Sequence, residues 1–176
     1  MRGLMMGRFQ PFHLGHLDLV KQILKECDEI IIALTGSQFN YIEKDPFTSG
    51  ERIEMIHQSL KENNIDLTRC YIIAVENQFN VSTWPSYLKS SLPHFEKVYS
   101  GNDYVKMLLG DFGYNVTLPK FLERTRYNGT IIRQMIGQDK EWESLVPSSV
   151  SKIIKRINGV QRIKTILKTD TKPQEF

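Results

Sequence analysis

The sequence predicts an α/β fold built on a central parallel sheet and closed by small C-terminal helices. Three observations carry that reading. Short apolar runs alternate along the chain with stretches of helical periodicity. One run, Ile30-Ile31-Ile32, is β-branched at every position, as a strand covered on both faces requires. Parallel neighbours need a crossover helix between them, which the alternation supplies.

The elements follow in order. Residues 3–6 read as a short buried strand. Leu17, Val20, Leu24 and Cys27 recur at spacings of three and four, so residues 14–27 read as an amphipathic helix. Residues 29–34 form the next strand. Thr48-Ser49-Gly50-Glu51 has the spacing of a capping box and opens a helix carrying Ile53, Ile56 and Leu60. Residues 71–75 are the third strand. The second half repeats the theme more weakly, with a helix over 84–92, a strand at 98–99, a helix over 104–109 and a strand over 116–118. A polar loop follows Pro119, then a short helix over 130–136. Two closing helices, 147–157 and 160–168, are separated by Asn158-Gly159, which suits a helix end. Residues 1–168 thus read as one domain, with 146–168 closing it, and residues 169–176 as a frayed tail.

Composition limits the function. At 176 residues, 40% hydrophobic and 24% charged, the chain is long enough for one water-excluding core. No apolar run is long enough to span a membrane, and the residues before the first motif are too few for a signal peptide. The expected location is cytoplasmic. Cys27 and Cys70 are too few for a disulfide framework and lack the close partners of a metal site. A net charge of +3 accommodates a small anionic substrate without demanding nucleic acid. Lys152, Lys155, Arg156, Arg162, Lys164 and Lys168 lie at helical spacing and are expected to form a solvated face.

In open α/β sheets ligands sit beyond the carboxyl ends of the strands, so the loops after the strands are where chemistry is expected. The first is Gly7-Arg8-Phe9-Gln10-Pro11-Phe12-His13-Leu14-Gly15-His16. It runs from a strand into a helix start, whose free N–H groups and positive dipole end suit phosphate. His13 and His16 are three apart and so share one face of the first turn. Gly15 removes a side chain where something approaches the backbone, and Arg8 adds a planar cation. A His-x-x-His pair is also found as a purely structural feature, or as half of a zinc site, though no nearby Cys or acid completes one. Neither a Walker A loop nor G-x-G-x-x-G occurs. The combination reads as a polyphosphate site.

Residues 7–16 resemble the nucleotide-binding motif of the His-x-Gly-His nucleotidyltransferases, and more closely that of the archaeal-type nicotinamide-nucleotide adenylyltransferases. The resemblance extends over nearly the whole chain. It includes Asp45-Pro46-Phe47-Thr48, Gly50-Glu51-Arg52, Trp84, Tyr99-Ser100-Gly101-Asn102, Gly129-Thr130-x-x-Arg133 and Ile157-Asn158-Gly159-Val160. It implies a Rossmann-like nucleotidyltransferase fold and adenylyl transfer from ATP to nicotinamide mononucleotide, with nicotinic acid mononucleotide as a possible acceptor. It also implies Mg²⁺ carried with ATP and a homo-oligomer, while the sequence itself offers no dedicated acidic metal cluster, and neither a nucleic-acid nor a membrane partner is expected. The alternatives are transfer to another phosphomonoester, such as FMN or phosphopantetheine, cytidylyl transfer, or a nucleotide-sensing module without chemistry.

By that resemblance His16, His13, Arg8, Arg133 and Lys44 are the catalytic set. Gly7, Phe9, Gln10, Gly15, Ser37, Arg52, Asn80, Trp84, Gly101, Asn102, Gly129 and Thr130 are expected to bind substrate. Trp84 would stack on the pyridine ring, as an aromatic face attracts a cationic one, and Asn80 would meet the carboxamide. Arg52 is either a ligand contact or part of an ion pair on its helix. The chain departs from the family pattern in places. Asn128 replaces the first Ser of the second motif but can still cap a helix, leaving the Thr130 hydroxyl and backbone N–H for phosphate. The loop Thr35-Gly36-Ser37-Gln38-Phe39-Asn40-Tyr41 lacks the family's Ser-His. Lys44 keeps a charge found as Arg in some relatives but not its bidentate fork.

Overall fold

The structure is a computed structural model that describes residues 1–120, 122, 123 and 125–171. Among these, a five-stranded sheet has the order β3-β2-β1-β4-β5, and every pairing is parallel. The strands are β1 (Arg2–Gly7), β2 (Glu29–Leu34), β3 (Cys70–Ala74), β4 (Lys97–Tyr99) and β5 (Val116–Thr117). The helices are α1 (Leu14–Glu26), α2 (Ser49–Glu62), α3 (Trp84–Ser91), α4 (Asp103–Asp111), α5 (Gly129–Gly137), α6 (Ser148–Arg156) and α7 (Gly159–Lys168).

The register explains the β-branched run. Leu4 of β1 lies opposite Ile31 of β2 and Val98 of β4, while Met5 lies opposite Ile32 and Tyr99. Successive residues of a strand point to opposite faces, so each strand feeds two cores. Met5, Ile30 and Ile32 join Val20 and Ile23 of α1, Met55, Ile56 and Leu60 of α2, and residues of α5, α6 and α7. Leu4, Ile31, Ala33 and Val98 instead join Leu88 of α3 and Leu109 of α4. Ile30, Ile31 and Ile32 are all fully buried.

Element boundaries follow the caps. Thr48 and Glu51 form the expected capping box: the Thr48 hydroxyl accepts from the Glu51 N–H, and the Glu51 carboxylate accepts from the Thr48 N–H. Between α6 and α7, Asn158 takes a left-handed φ of +56°, a conformation that Asn tolerates better than most residues. Short 3₁₀ turns at Leu67–Arg69, Val81–Thr83 and Glu143–Leu145 were not expected from periodicity. Three residues carry too little pattern to read.

Of the C-terminal basic residues, Lys152, Lys155, Arg156 and Lys168 are exposed, as a solvated face requires, and the correction concerns Arg162 and Lys164, which are partly buried. Lys155 pairs with Glu143 at 2.7 Å and Arg156 with Glu54 at 2.6 Å, and Lys164 pairs with Asp139. Arg162 is largely buried and grips both oxygens of Glu51, at 2.6 and 2.8 Å, with its guanidinium over the Tyr41 ring. Spacing along one helix could not show that the acids of α2 and of the stretch before α6 stand opposite these cations.

Cys27 and Cys70 are both free thiols. No helix among the described residues is long and apolar enough to cross a membrane. Of the expected tail, residues 172–176 lie outside the described part.

Strand order reverses between β1 and β4. The loops after these two strands therefore diverge, and a crevice opens between them at the carboxyl end of the sheet.

Candidate active site

The loop after β1 makes a tight turn. Phe9 has a left-handed φ of +50°, unusual for a bulky residue, and is held there by its neighbours. The Gln10 side chain donates to the Phe47 carbonyl and accepts from the Phe47 N–H, at 2.9 and 3.0 Å. Arg52 is fully buried and donates to the carbonyls of Arg8, Thr35 and Gly36 at 2.8, 3.0 and 3.1 Å. Burial lowers its pKa to about 10, still well above neutrality. Gln10 and Arg52 were expected to touch substrate. The structure corrects Arg52, which lines neither cavity and whose side chain ties the loops after β1 and β2 to the start of α2. Gln10 stands in the wall of the cavity that the two histidines line, while its side chain braces Phe47.

His13 is the N-cap of α1 rather than a residue of its first turn, but it shares one face with His16 as the spacing predicts, and both rings line the same cavity. The two histidines cap each other. His13 Nδ1 accepts from the His16 N–H and His16 Nδ1 from the His13 N–H, both at 3.3 Å. Their rings stack with centroids 3.5 Å apart and 18° between planes. With both Nδ1 atoms accepting, each neutral ring carries its proton on Nε2 and presents a donor there. Neutrality is enforced by burial, which pushes His13 down to about 4, and by burial plus the neighbouring His13, which hold His16 well below its ordinary value.

These rings line a cavity of about 500 Å³ with Arg8, Phe9, Gln10, Gly15, Lys44, Gly129, Thr130 and Arg133. Asn128 caps α5 through Oδ1, which accepts from the N–H groups of Thr130 at 2.9 Å and Ile131 at 3.4 Å. The expectation that the Thr130 N–H is free for phosphate is thereby corrected, while its hydroxyl remains at the cavity and accepts from Arg133 at 3.3 Å. Arg133 reaches across to the Gln10 carbonyl at 2.7 Å. Gly129 allows this approach, since a Cβ there would lie 3.1 Å from that same oxygen. What approaches Gly15 is the protein itself: a Cβ would lie 2.9 Å from Tyr127 Cβ. Leu19, Leu122 and Tyr127 add an apolar end that the sequence did not announce. Asp45, 2% exposed, accepts from Arg8 at 3.3 Å; burial raises its pKa.

A second cavity, about 460 Å³, lies on the β4 side and shares Gly7 and Arg8 with the turn. Trp84 lines it while also packing against the smaller core cluster. Thr35, Asn77, Ser100, Asn102 and Tyr104 complete much of its wall. Asn102 also caps α4, accepting from the Tyr104 N–H at 2.9 Å. Ser37, Asn80 and Gly101 line neither cavity. The Asn80 side chain is turned to Ser82, whose N–H and hydroxyl it accepts at 3.1 and 2.8 Å. Asn77 takes the wall position expected of Asn80. It lies three residues beyond the end of β3, and the strand-end rule alone would have pointed to it.

A cationic pocket at a helix N-terminus, joined by one arginine to an aromatic pocket across a topological switch point, is the arrangement of a nucleotidyltransferase. The chain belongs to the cytidylyltransferase-like family, whose model matches residues 4–156. It is 46% identical over 176 residues to the nicotinamide-nucleotide adenylyltransferase of Pyrobaculum arsenaticum, and 47% identical over 176 residues to that of Caldivirga maquilingensis, each covering 99% of both chains. The enzyme of the same name from Saccharolobus solfataricus is 43% identical over 169 residues, covering 96% of this chain and 98% of that one. Among solved structures, a bifunctional NMN adenylyltransferase/ADP ribose pyrophosphatase from Francisella tularensis, complexed with AMP and a manganese ion, superposes with a TM-score of 0.80 at 19% identity. It covers 98% of this chain, which spans only 57% of that one. At that identity the likeness speaks to the fold.

Proposed function

We infer that the chain transfers the adenylyl group of ATP to nicotinamide mononucleotide, giving NAD and pyrophosphate. The observation that carries this reading is Arg8, which lines both cavities. A triphosphate beside His13, His16, Lys44 and Arg133 and a mononucleotide beside Trp84 would bring their phosphates together at that one cation. The residues of 1–168 act as one unit in this reading, supported by the core that α6 and α7 share with the sheet.

The reaction balances without a general base. A phosphate oxygen of the mononucleotide, already anionic, attacks the α-phosphorus in line. The bond from that phosphorus to the β-bridging oxygen breaks, and pyrophosphate leaves with the electron pair. The protein is left to position the partners and stabilise charge. The Nε2–H groups of His16 and His13 are donors for phosphate oxygens, while Arg8, Lys44 and Arg133 neutralise the chain of phosphates. Among the described residues no group of three or more His, Cys, Asp or Glu is arranged to hold a metal. A divalent ion, Mg²⁺ in our proposal, would arrive on the phosphates of ATP, as Mg²⁺ commonly does. The manganese in the Francisella structure supports a divalent ion in general.

The second cavity favours the amide acceptor over the acid. Arg8 is the charged residue among those lining it, and it stands at the phosphate end. A nicotinate carboxylate would be desolvated without a counter-charge, at a cost of several kcal/mol or about that order, whereas a carboxamide can meet Asn77. Purified protein with ATP, Mg²⁺ and a panel of acceptors tests the reading. NAD should form fastest from nicotinamide mononucleotide, with nicotinic acid mononucleotide slower. Faster transfer to FMN or phosphopantetheine overturns it.

A further inference from the structure

The mechanism above makes no use of Asp45, although Asp45 is the carboxylate around which its cations gather. Arg8, Arg52, Arg133 and Lys44 all act on it electrostatically. One oxygen, Oδ2, accepts from Arg8 Nη1 at 3.3 Å. The other, Oδ1, is buried and has no hydrogen-bonding partner among the described residues.

A carboxylate beside a phosphate site opposes phosphate binding, so affinity for ATP does not explain it. Its placement does suggest a use. The Asp45 backbone is fixed by a 3.0 Å bond from its N–H to the Ile42 carbonyl, and Phe47, two residues on, is stitched to Gln10. The carboxylate is therefore a stationary point. Arg8 is the opposite, with a long side chain that is 47% exposed. Two further guanidiniums, Arg52 and Arg133, carry like charge close enough to interact with it. Without a fixed counter-charge, the one cation common to both cavities would be free to swing away from their junction.

We propose that Asp45 is a positioning residue that holds the Arg8 guanidinium at the junction of the two cavities, between the α-phosphate of ATP and the phosphate of the acceptor. This rests on the assignment of those cavities to ATP and the mononucleotide.

Asp45→Asn keeps the shape and removes the charge. It is expected to lower kcat by ~10–100-fold, the scale of a misplaced reacting group, while KM for ATP stays the same or falls because a repulsive charge has gone. A residue serving the fold alone would lower the melting temperature and leave both constants of the folded protein unchanged. The coupling is decisive. In an Arg8→Ala background Asp45→Asn should cost little further kcat, whereas full additivity of the two losses overturns the proposal. Asp45→Ser gives a second, smaller variant for the same cycle. If neither variant folds, the carboxylate serves the fold and the proposal fails. Failure of the wild-type protein to form NAD would instead sink the cavity assignment, a result separate from any outcome at Asp45.

Discussion

At the scale of single residues, the reciprocal cap of His13 and His16 sets what the two rings can offer a ligand. Each ring spends its Nδ1 on the other's backbone N–H, which fixes the tautomer and aims an uncharged donor elsewhere. An uncharged donor stabilises a developing phosphate charge without exchanging a proton. His16→Ala should therefore lower kcat by ~10²–10³-fold with a small change in KM for ATP. The variant also loses part of the α1 cap, about 1 kcal/mol, so kinetics belong at a temperature where it is fully folded. Turnover at the wild-type rate would remove His16 from the mechanism. His13 makes a separate prediction. Its pKa is about 4 in the folded protein, against about 6.5 when unfolded. Between these values the unfolded chain binds a proton that the native protein does not, so stability rises with pH there. The contribution is complete above about 6.5 and is lost as pH falls towards about 4. An NMR titration of the ligand-free protein should place the His13 midpoint well below 6. A midpoint near the ordinary value would show that the ring is solvated.

At the scale of elements, the site depends on how α7 is held. Arg162 of α7 binds the same Glu51 carboxylate that caps α2, and also donates to the Pro46 carbonyl at 3.2 Å. That pair ties the C-terminal helix to the segment carrying Lys44 and Asp45. Both partners are largely buried, so the pair resembles an interior bond more than a surface one. Arg162→Ala should destabilise the protein by ~1–3 kcal/mol, which for a chain of this length is roughly 3–10 °C in Tm. Calorimetry checks it, and an unchanged Tm would reduce the pair to a surface decoration. Gln10 and Arg52 play the same part on the other side of the turn. Their sequence neighbourhood gave no hint of it, since a residue next to phosphate-binding groups looks the same whether it faces the ligand or braces the loop.

For the molecule as a whole, the separation of two cavities across the switch point predicts separable binding. Trp84 lines the cavity proposed for the acceptor and not the cationic one. Losing an aromatic face against a cationic pyridine ring forfeits roughly 0.5–2 kcal/mol, and each ~1.4 kcal/mol is tenfold. Trp84→Ala should raise KM for nicotinamide mononucleotide several-fold to some tens-fold and leave KM for ATP nearly unchanged, with Trp84→Phe recovering part of the loss. Because Trp84 also packs on the smaller core cluster, both constants are to be measured on fully folded protein. An equal rise in both would mean that the two cavities are one site.

By itself the sequence determined the α/β class, the helices with strong periodicity, the Thr48–Glu51 cap, and the two motifs, 7–16 and 128–133, whose residues meet at one cavity. These are local signals. Spacings of three and four, a buried apolar run and a capping pair need only neighbours along the chain to be meaningful. The tertiary structure alone decided the direction in which each polar side chain points. It turned Gln10 and Arg52 inward and Asn80 away, brought Asn77 to the wall instead, closed the Thr130 N–H with Asn128, and moved His13 from the first turn of α1 to its cap. It also placed Arg8 on both cavities and Asp45 behind it. The physical reason is that a long polar side chain goes to whichever partner satisfies it, and a buried donor left unsatisfied costs ~1–3 kcal/mol. That partner lies 37 residues away for Gln10 and 44 for Arg52, a distance at which spacing along the chain carries no information.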